Sequence, residues 1–138
     1  MKAMNQKYAV TYLYPRLSSK VSCGLFGITD EFVENYQSLD ELLIKNKYST
    51  FFFEATGDSM EPTILTGDIL IVDRSIAHYH GRVCILAFED KLICKRVQKN
   101  DRGLTLFSDN SKYAPIHVQS EDAIALWGVV IGRAGKVR

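Results

Sequence analysis

Three consecutive blocks decide how this chain is read: Ser49-Thr50-Phe51-Phe52-Phe53-Glu54-Ala55, then Gly57-Asp58-Ser59-Met60-Glu61-Pro62-Thr63-Ile64, then Asp68-Ile69-Leu70-Ile71-Val72-Asp73. The outer two are short and rich in aromatic and β-branched residues, which is the signature of strands. The middle block sets glycine and proline on either side of Ser59, so the chain turns sharply there. A serine on a tight turn between two buried strands is held rigidly, with backbone N–H groups free to point at a bound carbonyl. That is the setting a nucleophile needs. The same octapeptide suits a loop serine that caps the turn after a strand. On these eight residues alone the capping role is favoured, because loop serines are common and nucleophiles are rare.

Outward from this stretch the strand pattern continues. Arg82 to Phe88, Lys91 to Gln98, Gly103 to Phe107 and Ile124 to Ile131 have the same composition. Turn signals separate them: Gly67, Gly81, Glu89-Asp90, Asn100-Asp101-Arg102-Gly103 and Asp109-Asn110. Short, regularly spaced strands with almost no helical pattern between them predict a mostly β chain, antiparallel and strongly curved. Upstream, Ser38-Leu39-Asp40-Glu41 has the form of a capping box. Leu39, Leu42 and Leu43 then share a face, predicting one short helix to about Asn46 that packs its leucines on the following domain. Residues 1–37 show no sustained period, and Pro15 with Ser18, Ser19, Ser22, Gly24 and Gly27 reads as an extended N-terminal arm rather than a packed element. The expected division is an arm over residues 1–37 and a β domain over 38–138.

Composition narrows the function. The 138 residues are enough for one domain with a real core. With 17 basic against 16 acidic side chains the net charge is +1, which gives no field to draw nucleic acid or an anionic membrane. Direct nucleic-acid binding is therefore not expected. Cys23, Cys84 and Cys94 are odd in number and widely spaced, which argues against a disulfide scaffold and against a thiolate zinc site. His78 and His80 lie two apart and His117 is distant, so they read as loop residues, and no metal or cofactor is expected. No apolar run approaches a signal sequence or the roughly 20 residues of a membrane helix. A cytoplasmic, unanchored protein is the expectation.

Lys95 changes the weight given to Ser59. In the strand from Lys91 to Gln98, period-2 alternation puts Ile93, Lys95 and Val97 on one face and Leu92, Cys94 and Arg96 on the other. Lys95 and Arg96 are adjacent, so one of them faces the core side. Burial disfavours an ammonium, and a desolvated lysine amine is a competent base for a serine hydroxyl. Arginine is excluded from that role because it stays protonated. The alternative is a lysine that buries its stem and carries its ammonium to water at the sheet edge. Taken alone, that alternative is the more common arrangement.

Ser59 and Lys95 in this setting resemble the self-cleaving Ser-Lys peptidase family of LexA repressors and UmuD proteins, the peptidase S24 type, and the UmuD-like members most. The resemblance runs through Cys23-Gly24, Gly57-Asp58-Ser59-Met60, Gly67 to Asp73, Lys95-Arg96, Asn110 to Ile116, Glu121-Asp122 and Gly128-Val129-Val130. Ser59 and Lys95 are 36 positions apart (95 − 59), close to the family separation. Glu61-Pro62-Thr63-Ile64 departs from the glycine-rich stretch of UmuD towards phage repressors and type I signal peptidases. Signal peptidases need a membrane anchor, and LexA and phage repressors carry an N-terminal helix-turn-helix domain. The short, aperiodic arm matches neither.

The resemblance implies a curved LexA/UmuD C-terminal-like β-fold. It implies Ser59 as nucleophile, Lys95 as general base and the backbone N–H groups of Asp58 and Ser59 as the oxyanion hole. Cys23-Gly24 would be the self-cleavage site, a small residue followed by a glycine that permits the required bend. Val21 and Leu25 would anchor an extended segment along a sheet edge. By the same resemblance the protein is a homodimeric subunit of an error-prone translesion polymerase, cut with the help of a RecA filament on single-stranded DNA in the SOS response. It would then bind a UmuC-like, Y-family catalytic subunit. The alternative is a non-catalytic interaction module of the same fold that regulates a polymerase or repressor.

Overall fold

The computed structural model describes residues 11–18, 20, 21 and 32–138. Cys23 and Gly24 lie outside the described residues. Contacts divide the chain into two compact units, Met1–Lys45 and Asn46–Arg138.

Within the expected arm the first unit holds a two-stranded ribbon. Strands β1 (Tyr14–Leu17) and β2 (Val33–Gln37) pair antiparallel, with Tyr14 opposite Gln37 and Pro15 opposite Tyr36. Ser18 N donates to Phe32 O at 2.6 Å, and Arg16 Nη1 to Gln37 Oε1 at 3.0 Å. Both faces of this ribbon are largely exposed, so no buried face imposes the alternation by which a strand is usually recognised. The helix α1 follows at Leu39–Leu43, with Ser38 Oγ accepting from Glu41 N at 3.1 Å as a capping serine should. It ends before the expected Asn46. Leu39 and Leu42 are 67% and 50% exposed, and no residue of the helix is fully buried. Five residues make little more than one turn, too short a stripe to bury.

The second unit is a seven-stranded antiparallel sheet: β3 (Thr50–Glu54), β4 (Ile69–Asp73), β5 (Val83–Phe88), β6 (Lys91–Asn100), β7 (Gly103–Phe107), β8 (Ile116–Val118) and β9 (Ile124–Ala134). In space the order is β3-β4-β9-β5-β6-β7-β8. The six strands expected here are present to within a few residues, and β8 is additional. Glu89 and Asp90 both take positive φ, the two-residue hairpin turn that matches the twist of β5 and β6. The eleven residues of β9 pair with β4 on one side and β5 on the other, so that Val129 lies between Asp73 and Cys84. Register shifts in both pairings mark bulges, which bend the sheet as the sequence pattern anticipated.

Curvature lets the sheet build two apolar clusters. One holds Cys84, Leu86, Val97, Leu104, Leu106, Val118 and Val129. The other holds Leu70, Val72, Val83 and Ile85 together with Met60 and Ile64. Met60 and Ile64 come from the turn segment between β3 and β4 and are only 4% and 5% exposed. Burying two such side chains is worth about 3–5 kcal/mol in transfer free energy. That holds the segment carrying Ser59 against the sheet.

Candidate active site

Residues of β3, β4, β5 and β6 and of the Ser59 turn line one cleft of about 280 Å³. On one side lie Phe53 to Gly57, leaving β3, followed by Ser59. On the other lie Leu92, Ile93, Cys94 and Lys95 of β6, with Leu70 and Ile85 as an apolar floor. Four consecutive residues of β6 reach the cleft because of how its neighbours pair. β5 accompanies β6 along residues 91–96, whereas β7 pairs with it only from Arg96 to Asn100. The first half of β6 therefore has a strand on one side and the cleft on the other. That is an open sheet edge to which an extended peptide can add.

Gly57 opens the Ser59 turn with φ +81°, a left-handed conformation that side-chain-bearing residues take at a cost. The turn is then closed from a distance by residues 109–113. Asn110 N donates to Ser59 O at 3.0 Å, and Asn110 Nδ2 to Asp58 O at 3.0 Å. Tyr113 Oη donates to Asp58 Oδ1, and this carboxylate contact and charge raise the tyrosine pKa above its ordinary value. Thr63 Oγ1 donates to Asp109 Oδ2 at 2.5 Å, while Asp109 also accepts from Arg96 Nε and Nη2 at 2.9 and 2.7 Å. The Arg96 hydrogen bonds hold the Asp109 carboxyl below the usual range; burial opposes this and the Thr63 bond adds to it.

With Asp58 O turned towards Asn110, the trans peptide directs Ser59 N the opposite way. Among the described residues neither Asp58 N nor Ser59 N meets an acceptor. That is a condition an oxyanion-binding pair must satisfy.

Lys95 stands opposite Cys84 on β5, and its side chain is half-buried. Its Nζ donates to Ser108 Oγ at 2.7 Å and lies 5.9 Å from the Tyr113 ring centroid. Among the described residues no carboxylate comes within 4.0 Å of Nζ. Cys94 also faces the cleft, but burial pushes its thiol up to about 11, so it stays protonated and a poor nucleophile at neutral pH.

Of the residues singled out in the sequence, the structure brings Ser59 and Lys95 to this cleft, with Asp58 preceding Ser59 in the turn. His80 Nδ1 accepts from Lys99 N at 3.0 Å, and His117 pairs with Thr105 at 3.2 Å, so both have other partners. Among the described residues no cluster of three His, Cys, Asp or Glu side chains could hold a metal, and no helix is long and apolar enough to cross a membrane.

Ser108 and the bracing role of residues 109–113 were missed by sequence reasoning. A signal for Ser108 was available: Asn100 pairs with Gly103 across the turn, and counting back in that register sets position 108 opposite Lys95.

Comparison with known proteins gives a consistent picture. A family model described as Peptidase S24-like matches residues 15–131. The LexA repressor of Shewanella piezotolerans is 29% identical over 118 residues, 84% of this chain and 57% of that protein. The LexA repressor of Shewanella denitrificans is 30% identical over 131 residues, 94% of this chain and 63% of that protein. For the LexA repressor of Bordetella pertussis the figures are 29% over 117 residues, 84% and 54%. The chain thus spans somewhat more than half the length of these relatives. They are named as repressors, where the sequence reading placed the chain nearer UmuD.

Proposed function

The chain belongs to the peptidase S24-like family, and on that premise we propose that it is a serine peptidase acting mainly on its own arm, with Ser59 as nucleophile and Lys95 as general base. The observation that carries this reading is the placement of Ser59 and Lys95 on one apolar-floored cleft, beside the open edge of β6. An extended segment that adds to such an edge presents its peptide bonds to the serine, and on this reading the bond to be cut is Cys23–Gly24, with Val21 and Leu25 as its apolar anchors.

The neutral amine of Lys95 takes the Ser59 hydroxyl proton, and the alkoxide attacks the Cys23 carbonyl carbon. The backbone N–H groups of Asp58 and Ser59 hold the resulting oxyanion. Collapse breaks the Cys23–Gly24 C–N bond, Lys95 returns the proton to the Gly24 nitrogen, and Cys23 is left as an ester on Ser59. Water, deprotonated by Lys95, then attacks the ester. Ser59 regains its proton and the arm leaves with a Cys23 carboxylate, giving a product of residues 24–138.

In its finer form the reading is a UmuD-like, homodimeric, cytoplasmic subunit of an error-prone translesion polymerase. A RecA filament stimulates its cleavage in the SOS response, and the product binds a Y-family catalytic subunit. The near-zero net charge supports a protein partner over direct DNA contact. The names of the relatives favour a second reading, in which the chain serves a LexA-type repressor function. Co-purification with a Y-family polymerase subunit, against operator-DNA retention, separates the two.

The self-cleavage reading is tested by incubating purified protein at raised pH, which favours the neutral amine, and separately with RecA filaments, followed by mass spectrometry. A fragment of residues 24–138 that disappears in Ser59→Ala and in Lys95→Ala is the expected result. An intact chain under both conditions overturns it in favour of a non-catalytic module.

A further inference from the structure

We propose that Ser108 is a positioning residue for Lys95, an uncharged partner that aims the amine across the cleft without fixing it as an ammonium. The proposal rests on the reading of Ser59 and Lys95 as nucleophile and base. Three observations carry it. Ser108 Oγ accepts from Lys95 Nζ at 2.7 Å, a short and well-formed hydrogen bond. Sheet register dictates the placement: Arg96 faces Phe107 and Val97 faces Leu106, so one further step sets Ser108 opposite Lys95 just where β7 ends. Finally, among the described residues no carboxylate lies within 4.0 Å of this amine, so the hydroxyl replaces the ion pair that usually orients a half-buried lysine.

The chemistry favours a hydroxyl here. A lysine side chain has four rotatable carbons, and leaving it unrestrained costs the alignment that proton transfer needs. A carboxylate would supply the restraint but would stabilise the charged form strongly, so the amine would not act as a base. A serine oxygen accepts one N–H and adds no charge. The remaining lone pair of the neutral amine is then free to turn to Ser59. The charged and titratable groups around Lys95 are Cys94 and Arg96 on its own strand, Cys84 on β5, Asp109 after β7, and Tyr113 with Asp58 across the cleft. Asp109 is engaged by Arg96 and Thr63, and Asp58 by Tyr113.

Two measurements test the proposal. The first does not depend on cleavage. In full-length Ser59→Ala protein, which stays whole, NMR should resolve two distinct ε-proton shifts for a held Lys95. Adding Ser108→Ala should merge them into one averaged signal. Persistence of two shifts overturns the proposal even if self-cleavage is never seen. The second follows self-cleavage from neutral to strongly alkaline pH. Ser108→Ala should lower the maximal rate roughly tenfold to hundredfold. Ser108→Thr, which restores a hydroxyl at a strand end, should recover most of the rate. Simple loosening of the fold would lower the melting temperature along with the rate, and a thermal melt of each variant checks for it. An unchanged rate in Ser108→Ala overturns the proposal. Loss of cleavage in wild type, or its survival in Ser59→Ala, overturns the Ser59–Lys95 reading instead, and the NMR result then stands on its own.

Discussion

Asp109 grips Arg96 through both carboxylate oxygens, at 2.9 and 2.7 Å, and with one of them also holds Thr63 of the Ser59 segment. This one side chain therefore ties the strand that carries Lys95 to the loop that carries Ser59. The Asp109 side chain is 13% exposed and that of Arg96 33%, so the pair is partly shielded rather than buried. Asp109→Ala should destabilise the fold by about 2 kcal/mol, less than a fully buried pair would cost. Chemical denaturation of the two proteins measures it.

The same carboxyl predicts an acid dependence. Its native pKa lies below the ordinary 3.8, held there chiefly by the Arg96 hydrogen bonds against the opposing effect of burial. A lowered carboxylate stabilises the fold fully above the unfolded value and loses that contribution as pH falls through the native one. The melting temperature of wild type should thus lose this contribution as pH drops below about 4. In Asp109→Asn, which has no such proton to gain, that part of the slope should be missing.

Asn110 supplies two bonds to the Ser59 turn, one from its backbone and one from its side chain. Asn110→Ala keeps the backbone bond and removes the side-chain bond to Asp58 O, together with the one that Oδ1 accepts from Lys112 N within its own loop. The expected cost is about 1 kcal/mol of stability and a roughly tenfold slower self-cleavage, since the peptide that presents Ser59 N becomes free to rotate. Rate and melting temperature measured on one preparation decide between a local and a global effect.

At Gly57 the backbone is left-handed, yet a Cβ there would meet nothing within 4 Å. Any loss in Gly57→Ala is therefore backbone strain and not a clash, about 1 kcal/mol. Gly57→Asn should lose less, because asparagine tolerates this region. A denaturant midpoint that does not move in Gly57→Ala would contradict the observed φ.

Thiol chemistry gives a further check. Burial pushes Cys84 up to about 12 and Cys94 up to about 11. In a Cys23→Ser protein, a thiol reagent at neutral pH should label neither residue until denaturant is added. Fast labelling of Cys94 in the folded state would mean that the cleft is more open than described.

The second unit was legible in the sequence wherever composition and turn chemistry agreed. Glu89-Asp90 and Asn100 to Gly103 marked hairpins that the structure contains, and the strands around them ended within a few residues of expectation. Strand β8 was missed because it has only three residues and directly follows Pro115. The hairpin of β1 and β2 was missed because the first unit hides neither face, so alternation has nothing to report. Ser59 and Lys95 could be singled out because their residue types and spacing carry chemistry. Their supports were harder to read: Ser108 emerges only by counting the β6–β7 register back from the turn, and the bonds of Asn110 and Tyr113 to the Ser59 turn form only once the chain has folded.

That dependence has a consequence for the order of events in the cell. Ser59 is synthesised long before Asn110 and Tyr113, and its turn takes its final shape only when they close over it. A growing polypeptide that has reached β4 carries the serine but not the brace, and not yet the lysine. Whatever Ser59 does to the arm, it cannot do so during translation of the first half of the chain. On the proposed self-cleavage reading, the earliest moment for a cut is therefore set by the synthesis of Tyr113, when serine, lysine and brace are first present together.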